Sequence, residues 1–537
     1  MEIGMSDRIT IPLYKVGWSS EAPLADNGAG HLLACKNYII KQNLIESRKG
    51  YFNVPMIDNG NPIVFSQPIR TIIPIQEYNM LIVCSNETIY VFEKIDGVYT
   101  CVKSKSGLSS SDWRWTYMNH QIIMVNGLDD AQQIYVTDYG LVTQDVKIQS
   151  WNVTDAPSKK FDWIATLNAQ IAAGYGNDLS AWYLPVGYVQ GAMKEFDIGA
   201  SAGTPKKGGS IIAAFNISRD SGLSLNAYMG FLTNQGEAIV YSGNDFDDAD
   251  NIAFNGVYQT GYPLGKNPCI NWSGDLIIMT TKGFISAHSI FANGENQNAQ
   301  YIFSQQINTW CLEQANLFGQ EQGFMGLVVP GEDMVLFNIP QGGSEFVQAV
   351  MNITSGKWSM FTNINAYTMC VADGKLLFGM ADGVYEYGTH ESDTNFIPLE
   401  IWTSYNACGS SLLKRINFVQ VRHAATEKIN LNLEIYKDFE TQAYYNTVDI
   451  SEIPETIGET GFIWSDDENP NDPTPGTAQW GDEYWAGGYA GMVANTETYS
   501  MSGLGHNFSV RIRANVNNVK HQMVDLMLLF NASRTAI

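Results

Sequence analysis

Basic residues are scarce in this chain of 537 residues: 31 Lys and Arg stand against 55 Asp and Glu, a formal net charge of −24. Such an excess argues against general adhesion to nucleic acid or anionic membrane, since both are polyanions. It leaves open a channel through which DNA passes without sticking. Cysteine is sparse, odd in number and scattered (Cys35, Cys84, Cys101, Cys269, Cys311, Cys370 and Cys408). No CxxC spacing occurs, which excludes the common zinc and redox motifs and points to a reduced, cytosolically made protein. The seven histidines, His31, His120, His288, His390, His423, His506 and His521, never form HxH or HExxH. Each therefore reads as a surface or packed histidine rather than a ligand. GxSxG, GxxxxGK[ST] and GxGxxG before a helix are also missing, so no catalytic residue and no cofactor is expected. No apolar run reaches the roughly 18 to 20 residues that span a bilayer, so no membrane insertion is expected. The opening MEIGMSDRITIPLY carries charge and lacks the apolar core of a signal peptide, and synthesis in the cytoplasm is the expectation.

What is present is β-forming. Hydrophobic residues make up 45% and aromatics 12%, enough for packed domains, and the length predicts two or three of them. The 49 Gly and 27 Tyr suit an all-β protein with many tight turns. The clearest stretch is Asn352 to Gly388. There Lys357–Phe361, Tyr367–Ala372, Leu376–Met380 and Val384–Tyr387 read as short strands, the later ones separated by Asp373-Gly374 and Asp382-Gly383. Asp-Gly between apolar runs is a strong hairpin signal because both turn positions favour positive φ. Similar groups of three begin at Thr71: Met80–Cys84, Thr88–Glu93 and Tyr99–Val102; Trp115–Met118, Gln121–Val125 and Gln133–Thr137; and onward to Cys269–Trp272, Leu276–Thr280 and Ile285–Ile290. Strands this short need neighbours to bury their faces, and an array of such units predicts a β-propeller-like domain of antiparallel blades over residues 71–390. A pair of stacked sandwiches would give the same pattern.

Residues 1–70 form an N-terminal arm or lead-in, in which His31–Leu44 has a helical look and Ser47–Phe52 reads as a basic turn into a strand. This segment is either an ordinary lead-in or a strand donated to another domain. Beyond residue 390 the strands lengthen and alternate cleanly, as in Asn430–Ile435, predicting a β-sandwich-like domain over 391–537. Within it residues 451–500 contain no Lys or Arg and read as a long inserted loop.

Two acidic clusters are candidate sites. Asp245, Asp247, Asp248 and Asp250 present several carboxylates in a short loop, an oxygen-rich pattern that suits calcium. The central Gly and closing Glu of the usual calcium loop are absent, so a solvated turn is the expectation and no metal is assigned. In the inserted loop Asp466, Asp467, Glu468 and Asp472 lie among prolines, with Trp464, Trp480, Tyr484, Trp485 and Tyr489 nearby. Exposed aromatics flanked by glycine stack on sugars, anchor a protein partner or cover the sheet beneath; partner contact, ordered on assembly, is the reading preferred.

Several stretches together resemble a known family. They are Tyr241–Ala249, Cys269–Thr280, Gly283–Ile285, Thr354–Ser359, Leu377–Gly379 and Gly383–Glu386, preceded by Asn37 and Ser47-Arg48-Lys49-Gly50-Tyr51. Together these are similar to the tail hub or nozzle proteins of short-tailed bacteriophages (podoviruses), also called packaged-DNA stabilisation proteins. The likeness runs loosely over residues 30–440 and does not extend to the insertion at 451–500. It implies a non-enzymatic virion protein of the viral tail: a homo-oligomeric ring, commonly a hexamer, below the portal and adaptor. Such a ring continues the DNA channel, closes it until DNA ejection and anchors fibres or spikes. An acidic lumen would let DNA slide without sequence-specific binding. Two alternatives remain open: a glycan-binding or glycan-hydrolysing propeller of a phage tail, and a generic propeller protein-interaction module.

Overall fold

The computed structural model describes residues 7–21, 30–138, 144–198, 205–220, 225–243, 245–248, 252–293, 302–390, 396–440, 443, 445–446, 455–457 and 492–532. The fold is all-β, with two α-helices among the described residues, Ala287–Asn293 and Asn308–Phe318. The chain divides into two compact units. One comprises residues 53–348 and 364–386; the other comprises 1–52, 349–363 and 387–537.

The first unit is a β-propeller. Among the described residues it has six sheets of three or more strands, mostly antiparallel (Val98–Lys105 pairs parallel with Met56–Asp58), whose leading strands are in turn Thr71–Ile75, Arg114–Met118, Trp163–Leu167, Ile211–Asp220, Cys269–Trp272 and Thr368–Ala372. The hairpin Met325–Val329/Met334–Pro340 lies between the fifth sheet and the sixth. Apolar cores are sandwiched between successive sheets, as the need to cover both faces of a short-stranded sheet dictates. Ile73, Ile82, Trp113 and Met124 fill the first gap, Val125, Trp151, Phe161 and Ile171 the second, and Trp163, Phe231 and Tyr241 the third. Leu81, Val83 and Phe92 pack on Cys370, Leu377 and Val384, which joins the first sheet to the last and closes the ring.

Two-residue turns set the hairpins. Asp373 (φ 51°) and Gly374 (φ 74°) adopt the left-handed pair expected of Asp-Gly, giving Thr368–Ala372 paired with Lys375–Gly379. Elsewhere the same turn is made without glycine, at Asn86-Glu87, Asn119-His120 and Asn168-Ala169, all with positive φ. Asn tolerates that region through its short polar side chain, and the residue after it carries the strain. Asp382-Gly383 departs from expectation, because neither residue has positive φ. Glycine there leaves room for a neighbour: a Cβ would lie 2.5 Å from Asn53 Nδ2 and would make that side chain shift. Ile285–Ile290, read from sequence as a strand, is strand only to Ser286. The Ser286 hydroxyl then accepts the Ser289 amide at 3.1 Å and Asp275 accepts the His288 amide at 2.9 Å, which starts the helix Ala287–Asn293.

The second unit holds two sheets, a sandwich-like arrangement. One orders Tyr38–Ile40, Ile45–Ser47, His521–Ala532, Lys414–Ala425 and Val493–Gly505, with Asp7–Pro12 also on His521–Ala532. The other runs Trp358–Phe361, His31–Lys36, Ile397–Thr403, Phe508–Asn517 and Asn432–Lys437. His31–Leu44 is thus not helical: it is two strands in different sheets, split at Asn37, whose φ of 59° turns the chain between them. Val493–Gly505 is a thirteen-residue strand, so the end of the stretch read as an inserted loop is paired with Lys414–Ala425.

Asn37 is fully buried and its amide is saturated. Its oxygen accepts Arg48 Nε at 3.0 Å and the Thr362 amide at 2.8 Å, while its Nδ2 donates to Thr362 Oγ1 at 2.8 Å and to the Pro398 carbonyl at 2.7 Å. Arg48 is equally buried, donates to the Lys49 carbonyl at 2.8 Å and lies over the Tyr51 ring at 5.8 Å. A second buried polar network crosses the other sheet: Lys36 and Arg511 both pair with Glu400, at 3.0 and 2.6 Å, and Arg513 with the buried Glu434. Lys414 is buried as well, its ammonium caged by the carbonyls of Ser410, Leu412 and His506 at 2.6, 2.7 and 2.9 Å.

Replacing Asn37 by Ala removes four hydrogen bonds and a residue suited to the left-handed region. The expected loss is about 3 kcal/mol, seen as a lower urea midpoint and faster hydrogen exchange in Tyr38–Ile40 and Ile45–Ser47. Asn37→Gly keeps the backbone freedom and should lose about 1 kcal/mol less.

Candidate functional site

The first strands of the propeller sheets converge on the ring axis. Arg114 shows how closely: its guanidinium, on the second sheet, donates to the Ile212 carbonyl on the fourth. Thr116 and Thr166, on neighbouring first strands, share a 2.6 Å hydroxyl contact. Among the leading strands of the first, second and sixth sheets and the segments before the fifth lies a cavity of about 570 Å³. Its lining is mixed, and the apolar part includes Ile72, Pro74, Leu327 and Val371 together with the indole of Trp115. Strand alternation explains the indole: in Arg114–Met118 the side chains of Thr116 and Met118 are buried, whereas Trp115 and Tyr117 are 39% and 42% exposed.

The rim of the cavity is polar. Lys266 Nζ pairs with Asp112 Oδ2 at 2.6 Å. The Arg70 guanidinium stacks on the Tyr367 ring at 4.9 Å and donates to Gln322 Oε1 at 3.1 Å. No carboxylate among the described residues lies within ion-pairing distance of Arg70. Both cations come from segments just before a first strand, so the ring brings together groups almost two hundred residues apart. Sequence reasoning passed over this cavity, since the aromatic and basic residues that line it lie singly in separate repeats.

The acidic loop 245–248 lies against the third and fourth sheets. Asp245 Oδ1 accepts the Asp247 amide at 2.9 Å and Gln170 Nε2 at 3.1 Å, a local turn tied to the neighbouring sheet. Asp247 Oδ1 accepts Lys194 Nζ at 2.7 Å and the Tyr183 hydroxyl at 3.0 Å. The Lys194 contact holds the Asp247 carboxyl below its usual range, while burial, then Asp247, push the Tyr183 phenol up. An ammonium therefore occupies the place where a cation would meet Asp247. Among the described residues no group of three or more His, Cys, Asp or Glu is arranged to hold a metal. Asp248 is described in the same loop, whereas Asp250 lies outside the described residues, as do Trp464, Asp466, Asp467, Glu468, Asp472, Trp480, Tyr484, Trp485 and Tyr489.

The sandwich-like unit contains a titratable line that the sequence does not reveal. The Tyr38 hydroxyl meets His521 Nδ1 at 2.9 Å, and His521 Nε2 meets His423 Nδ1 at 3.2 Å. His423 Nε2 faces Glu497 Oε1 at 3.5 Å, an electrostatic contact longer than a hydrogen bond. The rings of both histidines are buried. Burial, then the neighbouring His423, push the His521 imidazole down to about 3. His390, half-buried elsewhere in the same unit, is pushed to about 4 by desolvation of its ring. His423 next to Glu497 holds that carboxyl below its usual range. His423 and His521 lie 98 residues apart on adjacent strands, and only the register Ala425↔His521, His423↔Met523 brings them together.

No family model matches the sequence. No curated protein matches it either. Among solved structures, Raptor from Chaetomium thermophilum superposes with a TM-score of 0.38 at 11% identity, over 64% of this chain and 29% of that one. BamB from Moraxella catarrhalis superposes with a TM-score of 0.34 at 11% identity, over 65% of this chain and 92% of that one. The chain thus spans under a third of the length of the Raptor structure. Likenesses this loose carry no functional argument, and the propeller assignment stands on the chain's own sheets.

The depressed imidazole of His521 predicts that the sandwich-like unit loses stability in acid. A base whose folded pKa is depressed stabilises fully above its unfolded value, near 6.5, and progressively less as pH falls toward the folded value. For His521 that window runs from about 6.5 down to about 3. The depressed Glu497 acts in the same direction below its own unfolded value. Within the window His521 costs up to about 1.4 kcal/mol per pH unit. Thermal midpoints recorded from pH 7 to pH 4 should fall, and His521→Gln should flatten the slope; an unchanged slope would show that this imidazole does not govern it.

Proposed function

We propose that this chain is a non-catalytic virion protein that serves as the tail hub or nozzle of a short-tailed bacteriophage. The coarser statement, a propeller module, follows from the fold itself. The phage reading rests on the sequence resemblance, and one observation carries it further. Asn37 and Arg48, which belong to the stretches that carry the likeness, form the buried clamp at the turn between two sheets. Other quoted residues are also determinants of the fold. Ser355 Oγ donates to the Ile40 carbonyl at 2.6 Å, Gly356 takes φ 68°, and Trp358 is buried. Ser273 and Gly274 form a left-handed hairpin turn, and Asp275 caps the helix that follows. A pattern made of fold-determining residues is what a shared architecture would preserve when surface residues diverge.

In this role the partners are further copies of the chain in a ring, the portal-adaptor ring, fibre or spike proteins, and DNA in passage. The net charge of −24 favours passage over retention, since a basic lumen would hold the phosphate backbone through many salt-dependent contacts. The deciding experiment compares particles assembled with and without the chain for nuclease-protected DNA. Heads that fill and then leak are expected. Heads that stay full but fail to adsorb would favour recognition of a surface glycan, and unaffected particles would overturn the virion assignment.

A further inference from the structure

We propose that the propeller cavity lined by Arg70, Trp115, Lys266 and Tyr367 binds an acidic saccharide: a sugar ring bearing one carboxylate, alone or at the end of a short chain. The proposal does not depend on the virion role. It starts from Trp115. An indole that is 39% exposed within a concave wall, between buried Thr116 and half-buried Arg114, offers an apolar face to a ligand rather than to the core. Aromatic faces of this kind stack on the flat apolar side of a pyranose ring, and pockets of 300–1,000 Å³ accommodate such ligands.

The rim supplies the rest. Asp112 and Lys266, 2.6 Å apart, place a strong acceptor beside a strong donor, which suits adjacent hydroxyl groups on one ring. Arg70 sets the charge preference. Its plane is fixed by the stack on Tyr367 and one edge is used by Gln322, yet no described carboxylate neutralises it. A preoriented guanidinium with donors to spare is the partner that a carboxylate binds in paired fashion. One carboxylate is also what the rest of the molecule permits, because a net charge of −24 would repel a polyanion. An acidic peptide would use Arg70 as well. The rim of amide and charged groups (Gln320, Glu321, Gln322, Asn267) around a single exposed indole matches a polyhydroxylated ring better than an apolar side chain.

The test titrates the full-length chain with methyl glucuronide, N-acetylneuraminic acid and neutral methyl glucoside, following heat and saturation-transfer signals. At least one acidic sugar should bind about tenfold or more tightly than the neutral one, the worth of a charge-assisted hydrogen-bonded pair. Arg70→Gln should reduce the acidic sugar to the neutral level and leave the neutral sugar unchanged. Trp115→Ala should abolish both, and Trp115→Phe should keep part of each. If Trp115→Ala fails to fold, the comparison of acidic with neutral sugar on the native chain still decides. No binding of any sugar, equal binding of acidic and neutral sugars, or Arg70-dependent binding of an acetylated Glu-Tyr peptide in their place would overturn the proposal.

Discussion

The turn at Asn37 is the constraint on which the sandwich-like unit depends. A strand that must leave one sheet and enter another needs a sharp change of direction, and φ of 59° provides it. The turn leaves a polar side chain inside the protein, where an unsatisfied amide is costly. Every one of its hydrogen-bonding groups is met, by Arg48, Thr362 and Pro398, so the cost becomes a source of specificity. Three separate chain segments are thereby fixed to one residue. Reciprocally, Arg48 is acceptable in the interior because its donors meet Asn37 and the Lys49 carbonyl, and its plane meets Tyr51.

The propeller solves a different problem by repetition. Its hairpins are local, and each needs only a turn and alternating apolar residues, so most of them are legible in the sequence. Met80–Cys84 pairs with Thr88–Glu93 as read, with Met80 opposite Glu93, but Ser85 pairs with Thr88 and the turn is Asn86-Glu87, one residue beyond the Ser85-Asn86 expected. Turns of the Asn-X kind are less visible than Asp-Gly, yet obey the same backbone requirement. The helix Asn308–Phe318 escaped because its buried face is Cys311, Gln314 and Ala315, one polar and two small residues that leave hardly any apolar period to detect.

Long-range juxtaposition was illegible for a physical reason. Pattern reports which face of a strand is buried, whereas a site depends on which strands are neighbours. The cavity joins Arg70, Trp115, Lys266 and Tyr367 from four different repeats, and each alone looks like an ordinary rim or wall residue. The pairing of His423 with His521 depends on a register irregularity between Arg422 and His423, which no hydrophobic alternation predicts. The Asp245–Asp248 cluster shows the converse: dense in sequence, it is spent in space on a turn, a glutamine and a lysine.

The two units also differ in when their contacts become available. A propeller hairpin closes a loop of a few residues, whereas the sandwich-like unit joins Asp7–Pro12 to Asp525–Phe530 and His31–Lys36 to Glu400–Thr403. Loop-closure entropy must be met before such distant pairings return any stabilisation, so they form late relative to local ones. Until His521–Ala532 arrives, Asp7–Pro12 lacks a strand partner and Lys414–Ala425 is paired on one side alone, by Val493–Gly505, and an unpaired edge is a site of misassociation. The clamp at Asn37 needs only Arg48, residues 362 and 398, so it can be set before that last strand docks. It would then hold the first sheet-to-sheet turn in place as a template to which the final strand adds, which is reason enough for placing so exacting a polar arrangement near the start of the unit.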